Sequence, residues 1–136
     1  MQPETPQAPV SKGKLWTGWA MSLIPALFML LDGVMKLVKP APVVEATTKL
    51  GYSENVILPL GVVALVCTAL YLLPRTAVLG AILLTGYLGG AVASHLRAGD
   101  GWFPIFFPVI FGVLLWGGLA LRDERLCSLV PWRSDT

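Results

Sequence analysis

Four long apolar segments occupy most of this chain and constrain its fold more than any other feature. They run over Leu15–Val38, Val56–Leu73, Thr76–Leu96 and Phe103–Leu121. A membrane-spanning helix needs about 20 predominantly apolar residues, and each segment has roughly that length. In lipid a helix satisfies its own backbone hydrogen bonds, whereas an open strand does not. The segments therefore predict an all-α fold, an integral membrane bundle of four helices.

The low charge content supports a membrane protein and argues against two other classes. Charged residues make up 13% of the 136-residue chain, and hydrophobic residues make up 55%. Soluble domains carry about 25% charged residues, which cover their surface. The formal net charge of +2 is spread along the chain rather than gathered in a basic patch. We therefore expect the lipid bilayer to be a partner and expect no nucleic-acid binding.

The connections between the segments predict one additional helix. Only Pro74 and Arg75 separate the second and third segments, which must therefore form a tight antiparallel hairpin. In the longest connection, residues 39–55, apolar side chains recur at helical spacing and Gly51 offers a helix end. Because one face of this segment is apolar and the other polar, we expect a short amphipathic helix on the outer surface, between the first and second spans.

The distribution of Lys and Arg predicts the orientation of the bundle. In a four-span chain both termini and the second connection share one side of the membrane, and cytoplasmic loops carry an excess of Lys and Arg. That side is the richer in basic residues: Lys12, Lys14, Arg75, Arg122, Arg125 and Arg133. The pattern predicts that both termini lie in the cytoplasm.

The chain divides into three parts on this basis. Residues 1–14 form a tail that contains several Pro and Gln residues and that we expect to be disordered. Residues 15–121 form the four-span bundle. Residues 122–136 form a C-terminal tail in which charges alternate with apolar residues, and we expect it to lie along the inner membrane surface.

Small residues line the third segment and predict close helix packing. They recur every third or fourth position, a spacing that lets helix backbones approach each other in membranes. We favour contacts within the bundle over homodimerisation, because a four-helix bundle needs such contacts in any case. Oligomerisation stays an open alternative. The candidate packing residues are Ala77, Ala81, Thr85, Gly86, Gly89, Gly90 and Ala93.

Asp32 is the strongest candidate for a functional residue, because it lies inside the first apolar segment. An ionisable side chain within a membrane span is costly and marks a functional site by default. Lys36 follows one helical turn later and can pair with it. In the predicted topology the third segment ends near His95 at the same membrane level. The predicted polar cluster comprises Asp32, Lys36, Glu45, Tyr87, Ser94, His95 and Arg97.

A purely structural interpretation competes with this one. Lys36 can extend to the headgroups, Asp32 can serve only to pair with Lys36 or Arg97, and His95 can be a solvated helix end. We favour the structural interpretation for His95 alone. We favour a functional role for Asp32, because placing a carboxylate at this depth in the membrane costs free energy.

The sequence offers no metal site. It contains one histidine and lacks both H-x-x-x-H and C-x-x-C spacings. Cys67 lies in the second segment and Cys127 follows the fourth, and this separation argues against a disulfide. We therefore expect no metal ion and no dithiol relay.

Three strings carry a resemblance to a known family. They are LYLLPRTAVLGAILLTGYLGGAVASHLR over Leu70–Arg97, LLDGVMKLVKPAPVVEATTKLGY in the first third, and LLWGGLALRDERL near the C-terminus. The chain resembles the DoxX-like family of bacterial four-helix integral membrane proteins over Trp16–Pro131. The resemblance implies a multi-pass protein of the bacterial inner membrane. The family takes its name from a relative that forms part of an archaeal thiosulfate:quinone oxidoreductase. The polar residues that match by motif position are Asp32, Lys36, Glu45, Thr85, Tyr87, His95 and Arg97.

Three functional hypotheses remain at this point, and whether the protein is an enzyme stays open. The first is a redox-associated accessory that holds a quinone-like or other lipophilic small molecule in an outer-leaflet cavity. The second is a non-catalytic assembly factor or partner subunit, which would bind a membrane or periplasmic protein. The third is a small transporter, which we rank last because the second and fourth segments offer no polar path.

Overall fold

The computed structural model describes residues 12–123 and Leu126, and within that part of the chain it contains helices and no strands. The helices are α1 (Lys12–Val38), α2 (Ala41–Lys49), α3 (Ile57–Leu72), α4 (Ala77–Ala98) and α5 (Trp102–Arg122), with a 3-10 turn over Glu54–Val56. The all-α prediction and the short helix between the first two spans are confirmed. The predictions for residues 1–11 and for nearly all of the C-terminal tail lie outside the described residues.

Four of these helices are suited to cross a membrane. The helices α1, α4 and α5, and α3 together with its preceding 3-10 turn, are long and apolar enough to span a bilayer. In the most apolar 18-residue stretch of each span, only 28–33% of the residues are buried inside the protein. Most of the apolar side chains therefore face outward, where lipid is the solvent that suits them. The protein is thus a multi-pass membrane protein in contact with the bilayer.

The spans form an antiparallel bundle, as the contacts between helices demonstrate. Gly18 lies against Gly118, whereas Phe28 packs on Phe107, so α1 and α5 run in opposite directions. Around the bundle, α1 contacts α3 and α5, and α4 contacts the same two helices. We call the end with Lys12, Arg122 and residues 73–76 the terminal face, and the end with α2 and residues 99–101 the loop face.

Two glycine pairs set the distance between α1 and its neighbours. A Cβ on Gly33 would lie 3.2 Å from the Gly61 carbonyl oxygen, and a Cβ on Gly118 would lie 2.7 Å from the Gly18 carbonyl oxygen. At these distances an added Cβ atom would crowd the carbonyl oxygen of the neighbouring helix. The backbones of α3 and α5 therefore approach α1 closely, in the manner of small-residue contacts between membrane helices.

Within the predicted small-residue stripe of α4, the residues of the first turns are buried and those further along the helix are exposed. Ala77 and Ala81 are buried, and the helix continues its core contacts through Leu84 and Leu88. Thr85 and the glycines beyond it are exposed. A Cβ on any of three glycines would meet no atom of the described residues within 4 Å. The residues of the predicted stripe that the bundle leaves exposed are Thr85, Gly86, Gly89, Gly90 and Ala93.

Candidate functional site

A cavity of about 560 Å³ lies at the loop face, where the helices diverge. All four spans and α2 contribute side chains to its wall. Its volume falls in the range of about 300–1,000 Å³ that is usual for sites that hold small molecules. The side chains of its wall form a polar group and an aromatic group, here called the polar end and the aromatic end.

The polar end is organised around Asp32. Lys36 donates a hydrogen bond from Nζ to Asp32 Oδ2, and the pair spans one turn of α1. Tyr87 reaches the same oxygen from α4, with its hydroxyl 3.5 Å away. The side chains of Lys36 and Asp32 are 14% and 31% exposed, so the ion pair is largely withdrawn from the surface. The carboxylate is thus held by a cation and approached by a phenol, which offsets the cost of placing it at this depth.

A second polar contact joins the loop after α2 to the last turns of α4. The hydroxyl oxygens of Tyr52 and Ser94 lie 2.5 Å apart. Ser94 donates its only hydroxyl hydrogen to the Gly90 carbonyl oxygen at 2.8 Å. Tyr52 must therefore be the donor in the contact between the two hydroxyls. Both side chains line the cavity.

His95 lines the cavity as well, and its side chain pairs with a residue just beyond the end of α4. Its Nδ1 lies 2.7 Å from Asp100 Oδ2, which is also its ion-pair partner if the ring is protonated. The helix end explains the pairing. The Gly99 amide donates to Leu96 and the Asp100 amide donates to His95, with Gly99 at a φ of 73°. This Schellman arrangement turns the chain back and brings the side chain of Asp100 beside that of His95.

Five of the seven residues in the predicted cluster line one cavity, and two do not. The five are Asp32, Lys36, Tyr87, Ser94 and His95. Glu45 is exposed on α2 outside the cavity wall, and Arg97 is exposed with its guanidinium beside Gly51. Of the residues on α4, Tyr87 is the one that forms a hydrogen bond with Asp32.

The aromatic end of the cavity is formed by three phenylalanines. The ring of Phe28 on α1 meets those of Phe107 and Phe111 on α5 edge-on, with centroids 5.3 and 4.8 Å apart. Met29 and Leu88 lie in the same part of the wall. The phenylalanines present ring edges and faces to a ligand. None of these five side chains contributes a hydrogen-bond donor, and none carries an oxygen or nitrogen acceptor.

The two ends together define what the cavity can hold. The charges of Asp32 and Lys36 offset each other, and Tyr52, Tyr87 and Ser94 contribute neutral hydroxyls. A ligand with a neutral polar head therefore finds both donors and acceptors here, whereas an ion would disrupt an existing pair. The apolar part of such a ligand can pack against the aromatic end.

A separate polar network at the terminal face was missed by the sequence analysis. Arg122 donates from Nε to Ser22 Oγ at 3.0 Å, and its guanidinium lies over the ring of Trp19 at 4.1 Å. The Tyr71 hydroxyl donates to the Leu115 carbonyl oxygen at 2.6 Å and lies 2.9 Å from Ser22 Oγ. The network joins α1, α3 and α5, so it has a structural explanation. The sequence pointed to Arg122 only as a flanking basic residue.

The fold and the cavity define a class of protein: a multi-pass helical membrane protein with an internal amphipathic site. The DoxX-like family model matches residues 20–118, which include every cavity residue named above. The chain belongs to the DoxX-like family. A search of the curated proteins and of the solved structures finds no match.

Proposed function

We propose that this protein binds a lipophilic small molecule with a neutral polar head, of the quinone type, in the cavity at the loop face. The observation that carries the proposal is one cavity lined both by an ion pair with neutral hydroxyls and by a cluster of aromatic rings. A membrane-soluble molecule with one polar and one apolar part matches both ends at once.

The chemistry of a quinone suits these side chains in both redox states. The carbonyl oxygens of an oxidised quinone accept hydrogen bonds, and Lys36 and Tyr87 are donors. The hydroxyls of a reduced quinone donate, and the Asp32 carboxylate accepts. The flat ring packs against the aromatic end, where Phe28 and Phe107 present an edge and a face. The cavity can therefore retain the molecule while a separate redox enzyme changes its state.

The proposal also assigns an orientation to the bundle and a membrane leaflet to the cavity. The basic residues gather at the terminal face, which favours a cytoplasmic position for both termini. The loop face and its cavity then lie in the outer leaflet of the bacterial inner membrane. In this position the protein acts as a redox-associated accessory that presents the molecule to a partner enzyme.

A cavity-filling substitution tests the proposal. Ala91 lines the cavity on α4, so Ala91→Trp places an indole where the ligand would lie. We expect the dissociation constant for a decyl-tailed benzoquinone to rise by about tenfold or more, because overfilling a site displaces its ligand. The measurement is equilibrium binding of the labelled quinone to protein in lipid nanodiscs, with empty nanodiscs as background.

The matched control is Ile82→Trp on the same helix. Ile82 is exposed toward lipid and lies outside the cavity wall, so we expect its replacement to leave binding unchanged. Equal binding by the wild type and Ala91→Trp would contradict the proposal, as would a wild type that binds no more quinone than empty nanodiscs.

A further inference from the structure

The helices α3 and α4 are in close contact at the terminal face, and nearer the loop face both helices line the cavity. A Cβ on Gly80 of α4 would lie 2.5 Å from Tyr71 Cα and 2.7 Å from the carbonyl carbon of Leu70, so the two backbones touch there. Tyr87 and Ser94 follow Gly80 at intervals of seven residues and therefore lie on the same face of α4. Near the loop face this side of α4 borders the cavity.

The opposite wall of the same gap belongs to α3. Leu60 precedes Tyr71 by eleven residues, which is about three helical turns, so both point to the same side of α3. Tyr71 meets α4 directly, whereas Leu60 lines the cavity. The cavity therefore extends into the gap between the two helices. Leu60 is the cavity residue of α3 and Gly86 is the first of α4, so the cavity ends before the contact of Gly80 with Tyr71.

The other boundaries of this gap direct the cavity toward the bilayer. At the loop face, Tyr52 forms a hydrogen bond with Ser94 and connects the loop after α2 to the last turns of α4. The helix α2 adds a further wall on that side, through Val43 and Ala46 among others, and Leu50 follows directly after it. Between these limits stands Gly90, which lines the cavity and is exposed. A Cβ at this position would meet no atom of residues 12–123 or of Leu126 within 4 Å.

We infer that the ligand enters sideways from the bilayer, through a window between α3 and α4 with Gly90 at its edge, and that its apolar tail remains in this window. The inference rests on the proposed function and narrows it to molecules dissolved in the membrane that carry a long apolar chain. The polar head lies with Asp32 and Tyr87, and the tail passes Gly90 into lipid. A glycine suits this position because any larger side chain would occupy the path of the tail.

The chain offers a closely matched pair of variants to test this inference. Gly90 and Gly89 are adjacent on α4, and a Cβ on either would meet no atom of the described residues within 4 Å. Of these two glycines, only Gly90 lines the cavity. Gly89 lies on the flank that faces a mostly apolar groove beside α5, together with Thr85 and Trp116. Gly90→Leu and Gly89→Leu thus make the same chemical change on the same helix, and thermal unfolding verifies that both variants fold.

Two quinones distinguish the window from the rest of the cavity. One is a decyl-tailed dimethoxybenzoquinone, and the other is the same ring without the tail. We expect Gly90→Leu to weaken binding of the tailed quinone by about tenfold relative to Gly89→Leu, and to change binding of the tail-less ring by less than about threefold. The difference arises because only the tail must pass position 90.

The outcomes separate this inference from the proposed function. Equal affinities of the two variants for the tailed quinone would overturn sideways access while the proposed function stands. An equal loss for both quinones in Gly90→Leu would also overturn it, because the leucine would then obstruct the head rather than the tail. A wild type that binds neither quinone would remove the proposed function itself.

Discussion

Gly80→Ala is expected to destabilise the bundle by about 1–3 kcal/mol, the range for overpacked interiors. The added methyl group would lie within 2.5 Å of Tyr71 Cα and 2.7 Å of the Leu70 carbonyl carbon. These are backbone atoms, so relief requires α3 and α4 to move apart. Their connection is only a few residues long and restricts that movement. The measurement is the free energy of unfolding of the purified protein in mixed micelles.

Gly89→Ala serves as the control for this prediction. It makes the same change nine residues further along α4, where a Cβ would meet no described atom within 4 Å. We expect its free energy of unfolding to equal or exceed that of the wild type, since alanine favours the helix. Equal stability of the two variants would mean that the contact between Gly80 and Tyr71 does not constrain the fold.

Asp32→Asn is expected to weaken quinone binding by about tenfold to a hundredfold. The substitution keeps the shape of the side chain but removes the charge that holds Lys36 in place. Hydrogen bonds to charged groups contribute about 1.5–3 kcal/mol, and the loss of one corresponds to such a change in affinity. Without its partner, Lys36 extends toward the headgroups and no longer points to the ligand. Equilibrium binding in nanodiscs provides the measurement.

Neighbouring variants make the prediction specific to this pair. Tyr87→Phe removes one hydroxyl near Asp32, so we expect a smaller loss, of up to about tenfold. His95→Ala should have less effect than Asp32→Asn, since His95 pairs with Asp100 instead. Lys39→Met, outside the cavity wall, should leave binding unchanged. Unaltered affinity in Asp32→Asn would show that the ion pair serves only to stabilise the helix.

Local geometry explains which parts of the site were predictable from the sequence. The four spans followed from length and hydropathy, because lipid allows few alternatives for an apolar segment. The pairing of Asp32 with Lys36 followed from their spacing on one helix. The approach of Tyr87 to Asp32 depends on how α1 and α4 are rotated about their axes, which no local pattern specifies.

Other features of the structure were not specified by the sequence analysis, for equally specific reasons. The pairing of His95 with Asp100 is local, and the glycine that precedes Asp100 was a usable signal for the chain reversal. The small-residue stripe on α4 indicated where a backbone could approach. It did not indicate whether a neighbouring helix was there, and a Cβ on Gly86, Gly89 or Gly90 would meet no described atom within 4 Å. Arg122 was identified as a basic flanking residue, whereas its guanidinium reaches back into the bundle to Ser22.

The most direct test of a ligand in this cavity is a density map of the protein in lipid nanodiscs saturated with the decyl-tailed quinone. We predict density for the ring between Tyr87 and Phe107, with one ring oxygen roughly 3 Å from Lys36 Nζ or the Tyr87 hydroxyl. The tail should leave between α3 and α4, beside Gly90. A cavity that holds only phospholipid chains at saturating quinone, with Asp32 and Lys36 still paired, would contradict the proposed function.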